Sequence, residues 1–311
     1  MGGEKSKEIG EYGEKIVGKI LELMGWENCQ HPVEVPCHNT SFHKTKQGAP
    51  KKDHGLDFLF RYKCPLVVDV QKTVSISAKY RDKYSTTNNT LKNYITELGN
   101  TIHCLTFDKV IGKKNIYPEL SRIEYVGLIF YITHDDDKNT DFLSTIPQIR
   151  NTDKIEYKPI YVIDNRIITF LYSSIMDAQQ YFTDKKVRFA YSNTEQNIGA
   201  IDGMLNGTIL PIEYLTSGLL PVQVEDNNGK SLVLYTLESF SKDSFESLFY
   251  FACKFTSSWA KSVTIKFYNY NERNHKNIVS EILSMKQQEQ LSNKTEIEKF
   301  TILDFKDMEN T

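Results

Sequence analysis

Two short stretches decide how this chain folds: H-G-L-D-F-L-F-R-Y (residues 54–62) and K-T-V-S-I-S-A-K-Y (72–80). Both are rich in β-branched and aromatic residues, and Cys64-Pro65 breaks the first, so strands are expected at 56–62 and 72–80. Antiparallel neighbours share a constant index sum. Setting Asp57 opposite Ser77 centres the connection near Val67 and leaves 64–70 as the loop. Alternation then places Ser75, Ser77 and Lys79 on one face, with Val74, Ile76 and Ala78 on the other, the core face. A tighter register would pair Asp57 with Asp69 and bring Gln71 to the lysine position, leaving no ammonium group beside the acid. The first register is preferred, with Asp69 as a spare acid.

Upstream, residues 6–25 read as a helix. Ile9, Ile16, Val17, Ile20, Leu21, Leu23 and Met24 recur at helical spacing, and Gly25 follows as a stop. Glu14 lies on this helix. Residues 28–55 form a long polar connection, with one short strand expected near Val33–Val35. Downstream come a helix at 90–107 and a strongly apolar strand at 124–133, E-Y-V-G-L-I-F-Y-I-T. A charged stretch beginning H-D-D-D-K-N-T-D follows. The domain boundary is placed there, giving a first domain at 1–135, a connecting loop at 136–157 and a C-terminal α/β region at 158–311. That region is expected to hold a strand at 159–163, a helix near 166–181 and a hairpin through the turn D-N-N-G-K. A helix at 241–260 capped by Ser241, a strand S-V-T-I-K-F-Y and a helix at 272–288 complete it.

With 40% hydrophobic and 12% aromatic residues among 311, the chain can bury a sizeable core and does not read as disordered. It has no apolar run long enough for a bilayer, and its N-terminus, M-G-G-E-K-S-K-E, carries charge where a signal peptide needs apolar residues. A soluble cytoplasmic protein is expected. Five scattered cysteines do not suggest a disulfide framework. The net charge of −2 hides an asymmetry: residues 40–115 hold 14 Lys+Arg against 6 Asp+Glu, an excess of +8, so the remainder stands at −10. A basic segment in an acidic chain is the footprint of a polyanion site.

Glu14, Asp57 and Lys79, in that order and on those elements, suit phosphodiester hydrolysis. That chemistry needs a hard cation held by carboxylates and water, and a positive charge beside the phosphate. The blocks E-K-I-V-G-K-I-L-E-L-M-G-W (14–26), H-G-L-D-F (54–58) and S-I-S-A-K-Y (75–80) resemble the PD-(D/E)xK nuclease superfamily. The opening E-K-S-K-E-I-G-E-Y-G-E-K-I-V (4–17) also resembles one subunit of a two-gene anti-phage defence nuclease. The likeness covers roughly the first 130 residues.

The resemblance implies an α/β (α+β) fold with a restriction-endonuclease-like core, a central mixed sheet flanked by helices. It implies Mg²⁺, with Mn²⁺ as the alternative, bound by Asp57, by Glu14 directly or through water, and by the Ala78 carbonyl. Lys79 becomes the electrostatic or general-base partner. Ser77 stands where the second strand acid belongs. DNA is the implied substrate, and a second nuclease-like protein the implied partner in a homo- or hetero-oligomer, with the C-terminal region as the subunit interface. An alternative is a silent nuclease fold that binds nucleic acid or scaffolds an active partner.

Around this core, His54, Lys51, Lys52, Tyr80, Arg81 and Lys83 are candidate nucleic-acid contacts, with Tyr80 available for base stacking. His31, Cys37, His38, His43 and His54 form a loose cluster in the long connection. No CxxC pair is present, and the spacing does not argue for zinc.

Overall fold

The computed structural model describes residues 2–45, 47–85, 88–145, 158–197, 205–256, 259–286 and 291–310. The latter half of the expected connection (146–157) lies outside the described residues, as do positions 257–258 and 287–288 of two expected helices.

The first helix, α1 (Gly2–Leu23), buries Ile16, Val17, Ile20 and Leu21. It ends where the spacing predicts. Gly25 adopts φ 73°, and the Trp26 N–H donates back to the Leu21 carbonyl at 2.8 Å, a left-handed helix stop that glycine alone enters cheaply. A Cβ on Gly25 would also sit 2.0 Å from the Thr208 carbonyl oxygen.

A small antiparallel hairpin follows, β1 (Val33–Pro36) and β2 (Asp53–Leu56), joined by a long excursion through residues 37–52. The expected strand near Val33–Val35 has a partner that lay hidden in the tail of the polar connection. Next come β3 (Phe58–Lys63) and β4 (Val70–Arg81), antiparallel, with Phe58 opposite Ile76. That ladder has the predicted index sum. Helix α2 (Asn88–Phe107) crosses over to β5 (Arg122–Thr133), which runs parallel to β4. Strand β6 (Ile160–Ile163) adds parallel to β5. The sheet order is therefore β3-β4-β5-β6, mixed as expected. Because β6 pairs with β5, the first sheet continues past the stretch chosen as a connecting loop.

The sheet is covered on both faces, which is why β5 is buried without a break from Val126 to Thr133. On one side α1 packs against Val74, Ile76, Leu128 and Phe130, together with α3 (Asn165–Tyr181). On the other, Leu98, Ile102 and Leu105 of α2 meet Leu59, Ile129 and Tyr131, with the β1–β2 hairpin at the margin.

The C-terminal region forms a second sheet. Its strands are β7 (Lys186–Ala190), β8 (Asn206–Gly207), β9 (Leu219–Asp226), β10 (Gly229–Thr236), β11 (Ser262–Phe267) and β12 (Thr295–Lys299), ordered β12-β11-β10-β9-β7-β8. The predicted hairpin is β9–β10, with Asp226 facing Gly229 across Asn227-Asn228. Helices α4 (Lys242–Thr256) and α5 (Glu272–Met285) close its outer face, and Ser241 caps α4 through Ser244 N–H at 3.0 Å. Its inner face shares one apolar core with α1, α3 and the first sheet. Lys266, 1% exposed, lies within that junction, paired with Asp177 of α3 at 2.7 Å and Glu298 at 3.1 Å.

Candidate active site

The site forms just before β3 begins, where β4 runs on beyond the ladder. Extending the β3–β4 ladder past Phe58 would set backbone beside Ser77 and Ala78. Instead the chain bends at Asp57, and its carboxylate takes over the bonding. Asp57 Oδ2 accepts from the Ala78 backbone N–H at 2.7 Å and from the Ser77 hydroxyl at 3.2 Å. Two donors on one oxygen hold the carboxylate in a single orientation at the sheet margin. Ser77, 8% exposed, is thus a support for Asp57.

Helix α1 brings Glu14 to the same place through a close approach. A Cβ on Gly13 would lie 2.5 Å from Tyr80 Cβ, so α1 touches β4 there only because residue 13 has no side chain. Glu14 follows immediately and is about one-third exposed. Burial and then the nearby Asp57 charge raise its carboxyl above the usual range, against smaller lowering effects from His31 and Lys79. The three predicted groups therefore share one electrostatic neighbourhood.

His31 belongs to it as well, which the sequence reading missed. Its Nδ1–H donates to the Asp57 carbonyl at 2.5 Å, its ring stacks on Phe58 at 4.4 Å, and its Nε2 lies 3.4 Å from Glu14 Oε2. A carbonyl can only accept, so Nδ1 carries a hydrogen. The His31–Glu14 contact then needs one further proton on either partner, consistent with a Glu14 that holds its proton more tightly than usual.

Lys79 projects toward α2. Its Nζ lies 3.7 Å from Glu97 Oε2 and 5.4 Å from the centre of the Tyr94 ring. Tyr94 and Glu97 are one helical turn apart, so the i, i+3 spacing in N-Y-I-T-E-L (93–98) was the available signal for this pair.

Several sequence expectations change. Asp69 is no spare acid: it sits at the start of β4, the far end from Lys79, where its carboxylate holds Ser121 N–H at 2.7 Å and also the Ser121 hydroxyl. His54 is fully buried, so its ring cannot touch a substrate. Tyr80 is 5% exposed, packed edge-on to Tyr12 at 5.1 Å and bonded to His134 at 2.9 Å, which leaves no face open for a base. Arg81, Lys52 and Lys83 are exposed, as nucleic-acid contacts need to be, and Lys51 is half-buried. Beside Glu97, a cavity of about 500 Å³ opens between α2 and the 37–52 excursion, lined by Lys44, Lys51, Asn93 and Asn100.

A mixed sheet between helices, with an acid at a strand break, a lysine two residues beyond its facing position and a glutamate on the first helix, defines a PD-(D/E)xK-type nuclease core. Residues 1–167 match the family model described as the GAPS4 protein PD-(D/E)XK nuclease domain, and the chain belongs to that family, which ties it to anti-phage defence. The match ends inside α3, so it includes β6. Searches of curated proteins and of solved structures return no match. Among the described residues, no helix is long and apolar enough to cross a membrane.

Proposed function

We propose that this chain is a divalent-metal-dependent deoxyribonuclease, using Mg²⁺ or Mn²⁺, and a subunit of an anti-phage defence complex with a second nuclease-like protein. The observation that carries the reading is an Asp57 carboxylate fixed by the Ser77 hydroxyl and the Ala78 N–H, with Glu14 near enough for the Asp57 charge to raise its carboxyl. A carboxyl whose ionisation is disfavoured by burial and by a neighbouring carboxylate is one that a hard cation would favour in its charged form. The donor set is all oxygen, which suits Mg²⁺ and Mn²⁺. Asp57 and Glu14 would hold the cation, with the Ala78 carbonyl as a further donor. A cation held there supplies neutralisation of phosphate oxygens and a nucleophile near neutral pH.

The chain's own groups do the rest. Ser77 and the Ala78 N–H fix the Asp57 carboxylate, and the His31 ring, held against the Asp57 carbonyl, stands 3.4 Å from Glu14. Lys79, released from Glu97, offers its ammonium group to the charge that develops on the phosphate. The cavity beside α2, with Lys44, Lys51 and the nearby Arg81, supports a path for the DNA backbone. For the protein partner, Tyr250, Phe251 and Met285 are exposed on α4 and α5, the apolar material that interfaces use.

One observation favours a second reading. Ser77 removes a strand carboxylate, and an under-charged site suits a silent subunit that binds nucleic acid or scaffolds its partner. Incubating the chain with plasmid and linear DNA, alone and with the partner, separates the two. Cleavage that needs Mg²⁺ or Mn²⁺ and stops with EDTA and in Asp57→Ala supports the first reading. DNA binding without cleavage in every combination supports the second.

A further inference from the structure

Away from the carboxylates, four soft or borderline ligands converge. Cys37 follows β1, His43 lies in the excursion, His54 sits in β2 opposite Val35, and Cys104 projects from α2. One ligand atom from each lies within 4.8 Å of all the others. His43, His54 and Cys104 are buried and Cys37 is half-buried.

The contacts make poor sense as hydrogen bonding. His43 Nδ1 has three neighbours at once: His54 Nε2 at 3.3 Å, Cys104 Sγ at 3.4 Å and Cys37 Sγ at 3.5 Å. A ring nitrogen makes one hydrogen bond, not three. The outer edges of the rings do not explain their orientation either, since among the described residues His43 Nε2 and His54 Nδ1 have no hydrogen-bond partner. The inner atoms are what the fold has gathered.

Four of the six ligand–ligand distances are close to a tetrahedron's edges. Zinc bonds of about 2.3 Å to sulfur and about 2.0–2.1 Å to nitrogen imply edges of about 3.3 Å (N–N), about 3.6 Å (N–S) and about 3.8 Å (S–S). The structure has 3.3 Å for the nitrogen pair, 3.4 and 3.5 Å for two nitrogen–sulfur pairs, and 4.0 Å between Cys37 and Cys104 sulfurs. We propose that Cys37, His43, His54 and Cys104 bind one structural Zn²⁺ that staples the β1–β2 hairpin to α2. Two thiolates cancel the charge of the ion, as a buried site requires. The His38 backbone N–H already points at Cys104 Sγ at 3.3 Å, a second-layer contact suited to a thiolate. All four positions are protein ligands, so the site is closed and has no vacancy for substrate. Its place matters because His54 lies three residues before Asp57, while α2 carries Glu97, the partner of Lys79.

The test is metal content. The full chain, purified under reducing conditions from zinc-supplemented medium and dialysed, should hold about one zinc per chain by plasma mass spectrometry. Replacement with Co²⁺ alone should give the absorption of a tetrahedral site with thiolate charge transfer. Zinc affinity should fall by more than about 100-fold in Cys104→Ala and in His54→Ala. Asp57→Ala should keep its zinc, which separates this site from the catalytic one. Wild-type protein that stays metal-free and takes up neither Zn²⁺ nor Co²⁺ would overturn the assignment without any variant having to fold. A thiol count under denaturing, non-reducing conditions that falls two short of five, with Cys37 and Cys104 the missing pair, would overturn it in favour of a disulfide.

Discussion

His54 and Asp57 stand three residues apart, and each belongs to a cluster proposed above to hold a metal, yet the two clusters are opposites. Asp57 and Glu14 are partly exposed oxygen donors at the end of a sheet. The Cys37–His43–His54–Cys104 group is closed, mostly buried and built of nitrogen and sulfur. Hard, exchangeable ions suit the first, and a tightly held zinc suits the second. A cleavage site has to admit substrate and tolerate unpaired charge, so beyond the two hydrogen bonds on Asp57 it has little packing of its own to hold it rigid. The closed cluster, on the adjoining hairpin and on α2, would supply rigidity from behind if it holds zinc as proposed. The two should therefore respond differently to the same insults.

The largest expected effects fall on chemistry. Asp57→Ala should lower metal-dependent DNA cleavage by at least about 1,000-fold, and Lys79→Ala by about 100-fold or more, with the thermal midpoint nearly unchanged. Plasmid nicking at saturating Mg²⁺ measures both. Parental rates in either variant would break the catalytic half of the contrast.

Next come effects on stability. Cys104→Ala should lower the thermal midpoint by on the order of 10 °C, and reduce cleavage only as far as the fold loosens. Calorimetry on parent and variant, with and without chelator, reads this. If chelation at low EDTA stops cleavage but leaves the midpoint alone, only the open site is being stripped. A chelator that lowers both at one concentration would blur the distinction between the two clusters.

These two regions also differ in how far the residues alone reveal them. Glu14, Asp57 and Lys79 could be read because periodicity of 3.6 and of 2 dictates which side chains share a face, and one index sum sets the hairpin register. The four proposed zinc ligands show no such regularity in sequence. Cys37, His43 and His54 are separated by irregular chain, and Cys104 comes from a helix fifty residues later. Only the docking of α2 on the β1–β2 hairpin unites them, and tertiary packing of that kind leaves no local pattern. His54 was read as a substrate contact because it flanks Asp57, but strand alternation sends it inward beside Val35. The β6 pairing was hidden for a similar reason: a four-residue strand beside a long connection carries too little pattern to say which sheet it joins.

A smaller effect sharpens the role of the glycine contact. Gly13→Ala should push α1 off β4, because its new methyl would meet Tyr80 Cβ, an atom too close to the backbone to swing away. Cleavage should fall by about 10-fold through displacement of Glu14, at a stability cost of about 1–3 kcal/mol. Full activity would mean that Glu14 does not need its present position. Ser77→Ala removes one hydrogen bond to Asp57 and should cost about 1 kcal/mol, with cleavage lowered by less than 10-fold.

The mildest prediction concerns protons. The folded-state carboxyl of Glu14 is raised above 4.5, chiefly by burial and then by Asp57. Between the unfolded and folded values the native state binds more protons than the unfolded one, so this group's contribution to stability falls as pH rises through that window. The metal-free chain should accordingly be more stable on the acid side of the window than above it, as far as Glu14 is concerned. Glu14→Gln should flatten that trend and raise the midpoint slightly at neutral pH, where the parent must ionise Glu14 beside Asp57. Mg²⁺ should act in the opposite sense. It favours the ionised pair, so its stabilising effect should grow with pH in the parent and shrink in the variant. Thermal midpoints across the carboxylate range, with and without Mg²⁺, test both signs. A parent and variant with parallel pH profiles would show that Glu14 does not carry this dependence, and would leave Asp57 as the main anchor of the open site.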